Sequence, residues 1–221
     1  MTASPFPPYG IVTGLAAEAR IAAPLGGLVR AGGGTPWGAE LAAEALVAEG
    51  ATALISFGLA GGLDPEFRPG AIIVPIAVVE AGRIRATSQA LSDRLGGFFG
   101  GMLCAESEIV VTAADKQALA QATLCGAVDL ESGAVARVAE RHGIPFAVLR
   151  AICDPAERDL PPAALAALDA KGAIAASRIA LSILRNPFQL PGLIALGRDA
   201  ARAKRALVRR VFELGFLGGV L

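Results

Sequence analysis

Apolar residues recur along the chain in two rhythms. Short unbroken runs at Tyr9–Thr13, Thr52–Phe57, Ala71–Val79, Gly126–Asp129 and Phe146–Cys153 read as strands, Thr52–Phe57 and Phe146–Cys153 as buried ones, and Leu25–Ala31 is a further apolar run. Between them lie segments with apolar residues three or four apart. Trp37–Glu49 starts at Thr35-Pro36, with proline at the first helical position, and places Leu41, Ala45 and Ala48 on one face. Thr87–Leu95 and Ala113–Thr123 read as further helices, and Met102–Val111 as one or two short strands around Glu106 and Glu108. Near the end, Pro161–Leu184 is a long amphipathic pattern stopped by Asn186-Pro187, and Leu190–Leu214 forms a last one. No fixed-period repeat appears. The alternation predicts an α/β protein of three layers, a mixed but largely parallel central sheet with helices on both faces.

The stretch Ala127–Asp154 concentrates the chemistry. Glu131 opens an Ala/Val-rich helical pattern that Gly143-Ile144-Pro145 stops, and Asp154-Pro155 closes the strand that follows. A strand–helix–strand unit of this length predicts a right-handed parallel crossover, which brings Glu131 and Asp154 to the same carboxyl edge of the sheet. Glu18 follows the first strand in a loop, Gly14–Arg20, that runs into a helix. Gly58-Leu59-Ala60-Gly61-Gly62 follows the third and is expected as a glycine loop able to approach a ligand closely. Each acid alone has an ordinary reading: Glu131 as a first-turn helix acid, Asp154 as a turn starter, Glu18 as a solvated helix residue. Three acids at three strand exits, in order, argue for a site.

Composition narrows the class. Of 221 residues, 54% are hydrophobic and the formal net charge is zero, so a sizeable core is expected and a general nucleic-acid binder is not. Residues 186–221 carry six Arg/Lys against two Asp/Glu, leaving +4 there and −4 on the remainder. Along 190–214 an apolar stripe of Leu193, Leu196, Ala200, Ala203, Leu207, Val211 and Leu214 is flanked by Arg198, Arg202, Lys204, Arg205, Arg209 and Arg210. It reads either as a helix packed on the body or as one lying on an anionic membrane. Cys104, Cys125 and Cys153 stand in apolar runs without a CxxC pair, as core residues of a reduced, cytoplasmic protein with no metal site. No basic segment precedes an apolar stretch at the start and no window reaches a membrane-spanning length, so neither a signal peptide nor a transmembrane span is expected. The single histidine, His142, suits a helix-end or surface role. Trp37 and Phe98-Phe99 suit core or interface packing more than base stacking.

Four segments, GIVTGLAAEA, ISFGLAGGLDPEFRPGAIIVP, AVDLESGAVARVA and LRAICD, together resemble the purine nucleoside phosphorylase and methylthioadenosine/adenosylhomocysteine nucleosidase superfamily. The resemblance spans residues 9–185 and looks closest to the hopanoid-associated phosphorylase group. It implies a nucleoside phosphorylase-like catalytic domain over 1–185, with 186–221 as a basic helical extension. It implies cleavage of the N-glycosidic bond of an adenosyl substrate, small or lipid-linked, with adenine released. Asp154 matches the acid that protonates purine N7, Glu131 the glutamate that holds the ribose 2′-hydroxyl, and Glu18 the glutamate that activates water. Leu130 replaces the methionine under the sugar, Gly58, Ala60 and Gly61 fall in the loop lining the sugar site, Gln117 takes the place of an aromatic against the purine, and Cys153 replaces a serine beside the acid. No cofactor is implied; phosphate is the alternative attacking group. A homodimer, and peripheral contact with the inner face of the membrane through 190–214, complete the expectation. Cleavage of soluble methylthioadenosine or adenosylhomocysteine, and a non-catalytic nucleoside-binding protein of the same fold, are the competing readings.

Overall fold

The computed structural model describes residues 8–165, 181–182 and 184–216. Its organising element is one long strand, β3 (Ala53–Gly62), where the sequence reading ended the strand at Phe57 and placed a loop. Residues 54–57 pair in parallel with β1 (Tyr9–Thr13) on one edge and with β9 (Phe146–Asp154) on the other. β1 in turn carries β2 (Leu28–Ala31). Beyond Phe57, where β1 ends, the edge it leaves takes β8 (Cys125–Asp129), which pairs antiparallel with Gly61-Gly62. The sheet continues through β7 (Met102–Ala105), β5 (Ala77–Glu80) and β6 (Arg83–Ala86). Five of the eight pairings are parallel (β1·β2, β1·β3, β3·β9, β5·β7, β7·β8) and three antiparallel.

Two sequence expectations change here. The unit from β8 through α5 (Ser132–His142) to β9 is not a parallel crossover, because β8 runs antiparallel to β3 and β9 runs parallel to it. The two strands approach from opposite directions and meet across Gly61, which pairs with Val128 on one edge and Asp154 on the other. The run 71–79 is two short strands, β4 (Ile72–Ile73) and β5, split where Pro75 lacks the N–H that a continuous ladder needs. β6 had no counterpart in the reading; its alternation is masked by two arginines.

Alternate residues of β9 sort into the two faces. Phe146, Val148 and Ile152 pack with α5 and α2 (Pro36–Ala48), while Ala147, Leu149 and Ala151 pack with α1 (Ala16–Ala22), α3 (Gln89–Arg94) and α7 (Leu190–Phe216). The Thr35 hydroxyl caps α2 by accepting the Gly38 N–H at 3.1 Å. The buried face of α2 is Ala39, Ala42, Ala43 and Leu46; Leu41 points outward, with Ala45 and Ala48 also outside that face. In so alanine-rich a helix the apolar residues do not single out one face, and the close-packed side is three alanines with Leu46. Trp37 is exposed as well. α4 (Ala113–Thr123) flanks β8, and α6 (Pro162–Leu165) is the described start of the long 161–184 pattern, most of which lies outside the described residues. Among the described residues no helix is long and apolar enough to cross a membrane.

The stripe of α7 is core. Ala203, Leu207 and Val211 are buried with residues of β1, β3 and β9, so this face belongs to the protein's own packing. Leu207→Ala is therefore expected to cost about 2–5 kcal/mol. Val208→Ala, at a position 53% exposed, is expected to change stability by less than about 0.5 kcal/mol. Urea titration of both variants checks the pair; equal, small effects would mean that the helix is not part of the folded core.

Candidate active site

β9 places an arginine at its centre, in a strand that is otherwise apolar. Arg150 is 1% exposed and stands opposite Gly58 of β3 on the side facing α5. A charge so placed must be compensated where it lies. Its Nε lies 2.7 Å from Asp129 Oδ2, an ion pair out of line for a hydrogen bond, and its Nη2 lies 3.1 Å from Glu131 Oε2. Nη2 donates to Ser56 Oγ at 2.7 Å, and Nη1 to the Leu59 carbonyl at 3.3 Å. Asp129 is held in turn by the Ser132 N–H at 3.1 Å and the Ser132 hydroxyl at 2.5 Å. A Cβ at Gly58 would come within 2.6 Å of Arg150 Nη1 and 2.9 Å of the Glu18 carboxylate, so the position has room only for glycine.

Glu18, in the first turn of α1, accepts the Leu15 N–H at 2.8 Å through Oε2 and the Leu59 N–H at 3.1 Å through Oε1. The helix start and β3 thus share one buried carboxylate. Glu131 precedes α5 directly after β8, and Asp154 ends β9. The three acids line one cavity of about 260 Å³, with Leu130, Ala60, Gly61 and Cys153. Its wall is otherwise largely apolar, including Leu15, Leu59, Ile109, Val110, Leu160 and Leu196.

Two of the expected site residues do not line it. Gly58 lies behind the wall, against Glu18 and Arg150. Gln117 is exposed on α4, because its neighbour Lys116 is the residue on the inward side of that helix. Lys116 is 1% exposed, and three oxygens surround its ammonium: Asp154 Oδ2 at 2.5 Å, Arg158 O at 2.8 Å and Pro155 O at 3.0 Å. Asp154 Oδ1 is buried without a hydrogen-bond partner among the described residues. Sequence reasoning had singled out neither Arg150, Asp129 nor Lys116. For Arg150 the signal was there, a charge within a run too apolar to face water. For Lys116 there was none, since a lysine in a polar helix is ordinarily solvated.

The electrostatics follow from burial and from the unequal number of charges. Glu131 is buried, and its carboxyl is pushed up to about 7, first by desolvation, with Arg150 opposing and Asp129 and Glu18 adding repulsion. One guanidinium cannot balance three neighbouring carboxylates, so a proton is retained among them. Desolvation also raises Asp154, against the pull of Lys116. Burial pushes the Cys153 thiol up to about 12, which keeps it neutral. His142 lies away from this centre, its Nε2 2.7 Å from Glu44 Oε2 at the exposed end of α5.

Residues 9–102 and 85–185 match the profile of the phosphorylase superfamily, and the chain belongs to that family. Solved nucleosidase structures share its fold. A 5′-methylthioadenosine/S-adenosylhomocysteine nucleosidase from Helicobacter pylori superposes with a TM-score of 0.67 at 16% identity, covering 95% of this chain and 100% of that one. An S-adenosylhomocysteine nucleosidase from Streptococcus pyogenes gives 0.67 at 15% identity, over 96% and 98% of the two chains. The futalosine hydrolase of Helicobacter pylori gives 0.64 at 17%, over 94% and 98%. No curated protein matches in sequence.

The raised Glu131 couples stability to pH. A carboxyl that keeps its proton to higher pH when folded than when unfolded contributes stability below the ordinary value of 4.5 and loses it as pH rises through about 7. Measured by urea unfolding, the wild type is expected to lose stability relative to Glu131→Gln across that window. A difference that stays constant with pH would contradict the assignment.

Proposed function

We propose that the protein is a nucleosidase that hydrolyses the N-glycosidic bond of an adenosyl substrate and releases adenine. The observation that carries this reading is the cavity's charge: Glu18, Glu108, Asp129, Glu131 and Asp154 line it, and among the described residues no arginine, lysine or histidine does. Breaking the bond builds positive charge on the sugar and negative charge on the base. Carboxylates beside the sugar favour the first, and one protonated acid beside the base meets the second. Asp154, raised by burial, takes the role of the acid that protonates purine N7; Glu131 holds the ribose hydroxyl; Glu18, with its oxygens fixed by two backbone N–H groups, orients the attacking water.

The same lining supports water over phosphate. An incoming phosphate needs cations or a cradle of N–H groups. Four arginines that could otherwise supply a cation are engaged or set elsewhere: Arg30 pairs with Glu49, Arg83 and Arg85 with Glu140, and Arg20 lines a separate groove beside α7. Adenine release should thus proceed in phosphate-free buffer. Asp154→Asn should lower turnover by about 10²–10⁴-fold with a smaller effect on affinity, and Glu18→Gln should nearly abolish turnover. Strict phosphate dependence with a sugar 1-phosphate product would replace hydrolysis by phosphorolysis. An Asp154→Asn enzyme keeping more than about a third of wild-type turnover would remove Asp154 from the chemistry, and binding without release of adenine by the wild type would leave a nucleoside-binding protein.

The finer reading is adenosylhopane, whose hydrocarbon part suits the apolar wall formed by Leu160, Leu165 and Leu196. A panel of adenosylhopane, methylthioadenosine and adenosylhomocysteine decides it by kcat/KM. A lipid-linked substrate also suits the outward face of α7, where Arg198, Arg205 and Arg209 accompany exposed Ile194, Val208 and Phe212. This face, opposite the buried stripe, is the one able to meet an anionic membrane. Phosphatidylglycerol vesicles are expected to co-sediment the protein at low salt, and the Arg198→Glu/Arg205→Glu double variant should lose most of that binding. Equal recovery with phosphatidylcholine vesicles, or none with either, would argue against membrane contact.

A further inference from the structure

Asp154 has an unusual partner for an acid that must hand over its proton. The charged groups around it are Lys116 from α4, Arg158 from the loop after β9 and Asp199 from α7, the last two 2.5 Å apart and so largely neutralising each other. Glu18, Glu108, Asp129 and Glu131 share the cavity, and the neutral Cys153 thiol is its neighbour in sequence. Among the described residues Lys116 is therefore the one charge at contact distance, 2.5 Å from Oδ2. Its remaining surroundings are the two carbonyls of Pro155 and Arg158, so the ammonium also ties α4 to the chain leaving β9. Oδ2 is thereby engaged, while Oδ1 is buried and has no protein partner among the described residues.

We infer that Lys116 is a positioning residue for Asp154: it fixes the carboxyl through Oδ2, leaves Oδ1 to carry the proton that goes to the departing purine, and stabilises the carboxylate which that transfer creates. The inference rests on the proposed role of Asp154. In the step itself the O–H bond of Asp154 breaks and an N7–H bond forms. The electrons of the C1′–N9 bond pass to the base, and water adds its oxygen to C1′ as one of its protons passes to the Glu18 carboxylate. The carboxylate left on Asp154 then faces an ammonium 2.5 Å away in a site with little access to solvent. Without that cation, deprotonation produces an uncompensated buried charge, and Asp154 becomes a weaker acid.

The sign of the effect on pH dependence follows. Lys116 opposes the upward push of burial on Asp154, so removing its charge moves the carboxyl further up. The alkaline limb of kcat/KM, where the free enzyme loses the essential proton, should shift upward by about one to three pH units in Lys116→Met. The plateau of kcat should fall at least about tenfold, on the scale of general-acid contributions, with KM changed far less. Lys116→Arg keeps the charge and should keep the limb near its wild-type position. Profiles are measured on the full chain with the adenosyl compound of the panel that turns over best. If Lys116→Met does not fold, Lys116→Gln, uncharged but still able to donate to the two carbonyls, is read the same way. A folded, uncharged variant whose alkaline limb and kcat match the wild type would overturn the proposal and leave Lys116 a tie between α4 and the β9 exit. The two failures are distinguishable: an active Asp154→Asn enzyme removes the acid itself, whereas an inactive Asp154→Asn with an unmoved limb in the Lys116 variants removes only Lys116.

Discussion

The structure around the cavity depends on compensating one buried guanidinium. Arg150 occupies a strand position that alternation turns toward α5, with no route to solvent. Asp129 and Glu131 must therefore arrive from β8, Ser56 must be polar in the middle of β3, and Gly58 must carry no side chain. Even Gly14 at the end of β1 is bound by this, since a Cβ there would come within 2.6 Å of Glu131 Oε1. Removing one partner from such a cluster leaves a buried charge unpaired, a loss of about 3–5 kcal/mol. The ion pairs are thus a constraint on the fold more than a source of stability.

Arg150 does not cancel the acids around it, and that excess suits the proposed chemistry. Glu131 retains a proton up to about 7 because burial and two neighbouring carboxylates outweigh the arginine. A second buried pair, Lys116 with Asp154, stands on the other side of the cavity, joining α4 to the strand end. The site is thereby polarised: several acids share one guanidinium where the sugar is proposed to lie, and one acid has its own ammonium where the base is proposed to lie. Perturbed groups gathered in a cleft are the physical signature of a functional-site candidate.

Much of the architecture was legible in the sequence. Tyr9–Thr13 and Ala113–Thr123 have the bounds that their patterns predicted, and three acids at strand exits do line one cavity. The misses share a cause. The helix face of α2 was misjudged because alanine is weakly hydrophobic but packs closely, and the glycine run was read as a loop because glycine's freedom says nothing about which edges of a strand are already occupied. Gln117 was preferred over Lys116 because position in a motif does not reveal which side of a helix is buried.

By itself, then, the sequence determined most of the helices, the buried strands of the central sheet and the identity of the carboxylates, since local periodicity and turn chemistry are properties of neighbouring residues. Only the tertiary structure decided that β8 and β9 meet head-on across Gly61, that Arg150 and Lys116 are the cations behind the acids, and that the apolar stripe of α7 faces the sheet. Those outcomes depend on pairings between residues tens of positions apart, where burial sets the value of every charge, and local pattern carries no record of what a side chain meets across the core.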